Sequence, residues 1–192
     1  MLAEDTPPHG WATLHPMAIS CYLGHGASGS AASMAPFVQG LIARGVPATA
    51  VDLPRRKAEA AVPTWRNAVP DGPAVAVGGH SYGGRVASLA AAEAGTDYAA
   101  LVLFSYPLHP PGAPERTAAR IAHWPRITCP VLLLSGESDP FATIELLRSA
   151  VRLLPNGRLV TWPRLGHTLR PVLDDALDLA ATFLLELGAP GG

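Results

Sequence analysis

Charged side chains are scarce in this chain: Asp, Glu, Lys and Arg make up 15% of its 192 residues, and the formal net charge is −1. Disordered chains are rich in charge and poor in apolar residues, so this scarcity, with 48% hydrophobic residues, excludes that class. The near-neutral balance leaves no electrostatic footprint for nucleic acid or an anionic membrane surface. Two short basic runs, Arg55-Arg56-Lys57 and Arg116 to Arg120, read as solvated surface. Cysteine is rarer still. Cys21 and Cys129 are the only two, without the Cys-x-x-Cys or His-rich spacing of a metal site, and they read as free thiols. Long apolar runs are missing too; a stretch such as Ala99–Phe104 is far too short to span a bilayer. The opening Met1-Leu2-Ala3-Glu4-Asp5 has no cationic start before an apolar run. The expectation is a cytoplasmic protein with no metal, no cofactor, no nucleic-acid partner and no membrane partner.

What is abundant is punctuation. Nineteen glycines and twenty prolines are spread along the chain, as tight turns between regular elements require. Between them, short apolar runs alternate with helical patterns. Met17–Leu23, Ala48–Val51, Ala74–Val77, Ala99–Phe104, Val131–Leu134 and Arg158–Thr161 read as strands, most of them apolar on both faces. Helical stripes run through Met34, Phe37, Val38, Leu41 and Ile42, through Arg55–Asn67, through the alanine-rich Arg85–Ala94, through Ile144–Leu154 and through Leu173–Leu184. Such alternation predicts an α/β fold: a doubly wound, mainly parallel sheet of about six strands with helices on both faces. Residues 17–192 read as one domain and residues 1–16 as an extension. The Pro-rich segment Tyr106–Thr128 reads as a loop with one short helix around Glu115–His123.

Gly79-His80-Ser81-Tyr82-Gly83 lies between a strand and a helix. A serine on so sharp a turn is held in a strained conformation with its hydroxyl exposed, and the flanking glycines relieve clashes. A serine hydroxyl is a poor nucleophile until a base takes its proton and an acid orients that base. In open parallel sheets those groups belong on loops at the carboxyl ends of later strands. Asp139 follows Val131–Leu134, and His167 follows Arg158–Thr161. Ser81, Asp139 and His167 therefore read as nucleophile, acid and base. Gly24-His25-Gly26-Ala27-Ser28-Gly29 follows the first strand, where a glycine-rich turn aims amides at a developing oxyanion. Ala27 and Tyr82 are the expected N–H donors. A phosphate loop is the competing reading, but there is no Gly-Lys-Ser/Thr ending, and the G-x-G-x-x-G of residues 24–29 comes without a matching acidic residue.

Gly24-His25-Gly26, Gly79–Gly83, Asp139-Pro140 and Gly166-His167 together resemble the α/β-hydrolase superfamily, over about Met17 to Leu187. The resemblance implies a minimal fold lacking the family's first two strands, with Tyr106–Thr128 in place of a lid, as in a compact lidless branch of serine hydrolases. It also implies a sheet order that puts the strand before Asp139 next to the strand before His167. The strand before Asp52, the runner-up acid, falls on the far side. His80 is expected to point away from the Ser81 hydroxyl and pack under the turn, and His25 to brace the oxyanion loop. Trp124 and Trp162 are possible pocket residues, with packing the simpler role. The implied activity is hydrolysis of a small-molecule acyl substrate, an ester or thioester, through an acyl-enzyme. Amide or peptide hydrolysis uses the same three residues, and a non-catalytic scaffold for protein interaction is the reading from another class.

Overall fold

A computed structural model describes residues 17–189. The expected extension, residues 1–16, lies outside the described residues. The elements, in chain order, are β1 (Ser20–Gly24), α1 (Ala35–Ala43), β2 (Ala48–Val51), α2 (Ala58–Ala68), β3 (Val75–His80), α3 (Tyr82–Ala91), β4 (Ala100–Phe104), α4 (Thr117–Ile121), β5 (Val131–Gly136), α5 (Ile144–Ala150), β6 (Gly157–Trp162) and α6 (Leu173–Gly188). Single 3-10 turns precede α1, α4 and α6 and follow α4 and α5.

The six strands form one parallel sheet in the order β2-β1-β3-β4-β5-β6. Alternate residues of each central strand feed opposite layers. Val75, Val77, Leu101, Leu103, Val131 and Leu133 meet α2, α3, α5 and the 106–128 segment. Ala76, Ala100, Val102, Phe104, Leu132 and Leu134 meet α1 and α6. With both faces covered, β4 is buried at all of its positions, which is why its sequence is a continuous apolar run. Cys21 and Cys129 are free thiols, and burial pushes Cys21 up to about 12. Among the described residues no helix is long and apolar enough to cross a membrane.

The boundaries depart from the sequence reading in instructive ways. Met17 is apolar but about half exposed, and the sheet starts only where the Ser20 N–H donates to Ala74 O. At the other ends the strands outrun the apolar pattern, because β3 retains Gly78-Gly79 and β5 retains Gly136. Glycine is required in that stretch: a Cβ on Gly78 would lie 2.0 Å from Val102 O. α2 starts at Ala58, leaving Arg55–Lys57 in the loop before it, and α3 starts at Tyr82, directly after the serine. The 106–128 segment holds the one short helix expected, yet it is not a loose loop. Tyr106, Leu108, Ile121, Trp124 and Ile127 are all buried, so it packs into the core and does not cap the molecule.

The sheet reverses direction of growth at β1. Its neighbour β2 lies on one side and β3 on the other, so the loops leaving β1 and β3 open a crevice at their carboxyl ends. Gly24 and Gly79 pair in register at that crevice.

Candidate active site

Three glycines seat the turn after β3. A Cβ on Gly79 would fall 2.3 Å from Gly24 O, and one on Gly83 would fall 2.1 Å from the same carbonyl group. Bare backbone lets α3 start almost on top of the end of β1. Ser81, between them, is forced to φ 52°, ψ −111°, outside the regions a side-chain-bearing residue prefers. Its N–H donates to Phe104 O at 2.9 Å, and its carbonyl accepts from Arg85 N–H at 3.1 Å, so the strained residue is tied at both ends.

The loops after β5 and β6 are joined to each other. Glu137 N–H donates to Trp162 O (3.0 Å) and Ser138 N–H donates to Leu165 O (2.8 Å). A Cβ on Gly136 would lie 2.1 Å from Leu165 O, so glycine permits that approach. Asp139 leaves this junction with its carboxylate buried. Oδ1 accepts from Phe141 N–H at 2.8 Å, and Oδ2 lies 2.8 Å from His167 Nδ1. His167 Nε2 lies 2.9 Å from Ser81 Oγ. With Nδ1–H donating to the carboxylate, Nε2 is left with its lone pair toward the Ser81 hydroxyl.

Two aromatic rings flank the imidazole. Phe141 has its ring centre 4.4 Å from that of His167, and His80 lies 5.3 Å away on a tilted approach. His80 is thus beside His167 and near Phe37, not beneath the turn as the sequence suggested. Burial, and secondarily the His167 charge, push its pKa down. Neither neighbour carried a sequence signal beyond its place next to a motif residue.

His25 is buried and bridges two loops. Its Nδ1–H donates to Gly26 O at 2.8 Å, and Nε2 accepts from Leu53 N–H at 3.0 Å. The glycine-rich loop is thereby held against the end of β2. A turn closed by Gly29 N–H to Gly26 O (2.9 Å) presents Ala27. Among the described residues the N–H groups of Ala27 and Tyr82 have no backbone acceptor, and both residues line one cavity with Ser81. Asp52 is mostly exposed, accepts from Ala31 N–H at 3.0 Å and sits on the edge strand's loop, away from His167. Trp124 is fully buried, edge-on to Tyr106 at 5.1 Å. Trp162 packs under the α1–α6 layer. Neither lines the cavity.

That cavity holds about 410 Å³ and extends from Ser81 between α2, α3 and the 106–128 segment. Its walls add to one sequence reading: Arg55, Arg56, Lys57 and Arg116 are exposed, as solvated surface should be, yet part of each basic run also borders this space. Arg56 and Lys57 of the first basic run, and Arg120 of the second, line it together with Arg85. No sequence signal joins them, because each run is short and the fold alone brings them together. Among the described residues no three His, Cys, Asp or Glu side chains converge as a metal ion would need.

A search of curated protein sequences returns no match. Among solved structures, Est1E from Butyrivibrio proteoclasticus, with ferulic acid bound, superposes with a TM-score of 0.73 at 19% identity, over 92% of each chain. The monoacylglycerol lipase of Paleococcus ferrophilus gives 0.74 at 15% identity, over 90% of this chain and 96% of that one. A thermophilic esterase of Thermogutta terrifontis with propionate bound gives 0.67 at 21%, over 94% and 89%. At such identities these likenesses speak for the fold. The sequence model described as an alpha/beta hydrolase domain matches residues 43–180, most of the chain. The chain belongs to the α/β-hydrolase family.

Proposed function

We propose that the chain is a serine hydrolase that cleaves small carboxylic esters through an acyl-enzyme. The observation that carries this reading is one imidazole spanning two partners: His167 lies 2.9 Å from the Ser81 hydroxyl and 2.8 Å from the Asp139 carboxylate. As Ser81 Oγ attacks the substrate carbonyl, its proton passes to His167 Nε2. The buried Asp139 carboxylate holds the ring in the accepting tautomer and stabilises the imidazolium, without itself taking the proton. The amides of Ala27 and Tyr82 receive the oxyanion. The tetrahedral intermediate collapses to a Ser81 acyl ester while His167 gives its proton to the leaving alcohol. Water then enters, His167 deprotonates it, and the acid departs, restoring Ser81.

Thioesters follow the same route, and so do amides at greater cost, since fold does not choose among acyl substrates. The esterases and the lipase among the structural neighbours support the ester choice. Among the described residues no separate cap covers the cavity, which favours small substrates. We take residues 17–192 as one catalytic domain acting in the cytoplasm, with residues 1–16 as an appendage.

A fluorophosphonate tests the mechanism directly. The purified protein should be labelled at Ser81 and lose hydrolysis of p-nitrophenyl acetate in step. Ser81→Ala should block labelling and lower kcat by at least about 10³-fold, with the circular dichroism spectrum unchanged. Wild-type turnover by folded Ser81→Ala protein overturns the serine mechanism; no labelling and no turnover by the wild type leaves the scaffold reading.

A further inference from the structure

The cavity beside Ser81 carries a charge that the chain as a whole does not. The formal net charge of the protein is −1, yet Arg56, Lys57, Arg85 and Arg120 line this space against one carboxylate, Glu59. Glu59 is already engaged with Arg85 and is itself more than half exposed. None of the ion pairs among the described residues involves Arg56, Lys57 or Arg120. Three positive charges are therefore uncompensated around a space the size of a small-molecule site.

Two of the cations are not surface groups. The Arg85 side chain is only 13% exposed, and its Nε is buried without a hydrogen-bond acceptor. Arg120 is half-buried, and its guanidinium donates to Pro107 O at 3.2 Å, which leaves most of its five N–H donors unused. Burial, and then the nearby Arg85 charge, hold Arg120 below the usual guanidinium range. A desolvated cation without a counter-ion, as Arg120 is, is costly, and an incoming anion offsets that cost. Arg is also the side chain whose planar fork grips an oxyanion group through paired hydrogen bonds.

Chemistry assigns the half of the substrate involved. A leaving alcohol must lie beside His167 to receive its proton, and His167 is not part of the cavity wall. Both expected oxyanion donors, Ala27 and Tyr82, are. The acyl group is thus the part that extends into the cavity, with Pro107, Phe141 and Ala58 as apolar walls for its methylenes.

We propose that the preferred acyl group ends in an oxyanion, a carboxylate or a phosphoryl group, held by Arg120 and Arg85 with Arg56 and Lys57 at the mouth. This rests on the serine-hydrolase reading above. The test compares kcat/KM, at low ionic strength and after subtracting spontaneous hydrolysis, for three p-nitrophenyl esters of equal reach: hydrogen adipate, methyl adipate and 5-phosphonopentanoate. At least one anionic ester should exceed the neutral one by about tenfold or more, and the better of the two identifies the anion. That advantage should shrink with added salt, since the cavity is open to solvent. Arg120→Gln should bring the ratio close to unity, while Arg120→Lys retains part of it. Should Arg120→Gln not fold, Arg56→Gln at the exposed mouth should still lower the ratio, by about two- to threefold. An anionic advantage untouched by both glutamine variants overturns the proposal. Equal turnover of all three esters by the wild type overturns it alone; no turnover of any, together with no labelling of Ser81, overturns the hydrolase reading as well.

Discussion

The two sides of Ser81 are built on different principles. On one side, His167 and Asp139 sit on loops that follow adjacent strands and are fastened to each other by backbone hydrogen bonds and a glycine contact. On the other, the cavity wall is assembled from long side chains at 56, 57, 85 and 120, drawn from α3, α4 and the loop before α2. The first side is a matter of backbone, fixed by sheet register. The second is a matter of side chains whose charge and reach can change without disturbing the sheet. On the proposed reading, chemistry and selectivity are held by separate kinds of structure.

The largest effect that sharpens this contrast is expected at the acid. Asp139→Asn keeps the shape of the buried side chain but removes the charge that orients His167. It should lower kcat by about 10²–10⁴-fold with little change in KM. Asp52→Asn, at an exposed carboxylate on the opposite edge of the sheet, should change kcat by less than about tenfold. Steady-state kinetics of both purified variants on one activated ester decide it; a crippled Asp52→Asn beside a healthy Asp139→Asn would reverse the assignment.

Stability offers the next break. Gly83→Ala puts a methyl group 2.1 Å from the Gly24 carbonyl, a backbone neighbour that cannot swing aside. The expected cost is about 3 kcal/mol, and Tm should fall by about 10 °C. Arg56→Ala in the cavity wall is exposed and should stay within about 0.5 kcal/mol of the parent. Comparable Tm losses in the two variants would mean that the cavity wall is as constrained as the turn.

The last effect depends on pH. His123 is buried, 2.9 Å from Ser88 Oγ, and burial together with the Arg85 and Arg126 charges pushes it down to about 4. An unfolded chain binds that proton near the ordinary value of about 6.5. Between those values the unfolded state holds more protons, so stability should be full above about pH 6.5 and decline as pH falls toward about 4. Urea unfolding across that range, in wild type and His123→Gln, measures the effect. The variant should show the flatter profile; parallel profiles would remove His123 as the cause.

The sequence made the first side legible and hid the second for the same reason. Ser81, Asp139 and His167 each lie within a few residues of a strand's end, so a local pattern of apolar run, glycine and polar residue locates them. The sheet itself was readable because strands covered on both faces carry unbroken apolar runs, as Ala100–Phe104 does. Glycine misled the boundaries: Gly78, Gly79 and Gly136 resemble loop residues but belong to strands, where the missing side chain permits close backbone approach. Met17 misled in the other direction, being apolar yet outside the sheet. Arg56, Arg85 and Arg120 have no shared period or spacing. Only the packing of the 106–128 segment into the core, which carries Arg120 to the wall beside Arg85, makes them neighbours.

The fastening of the β5 and β6 loops has a mechanical meaning. Because Glu137 and Ser138 donate directly to the loop that carries His167, the loops bearing Asp139 and His167 are joined as one piece. A thermal displacement of that piece alters the distance to Ser81 while leaving the 2.8 Å contact within the pair intact. On the proposed mechanism, misalignment is then confined to a single coordinate, the gap across which the serine proton would travel. That gap is bounded on its far side by a residue whose own backbone has little freedom to follow.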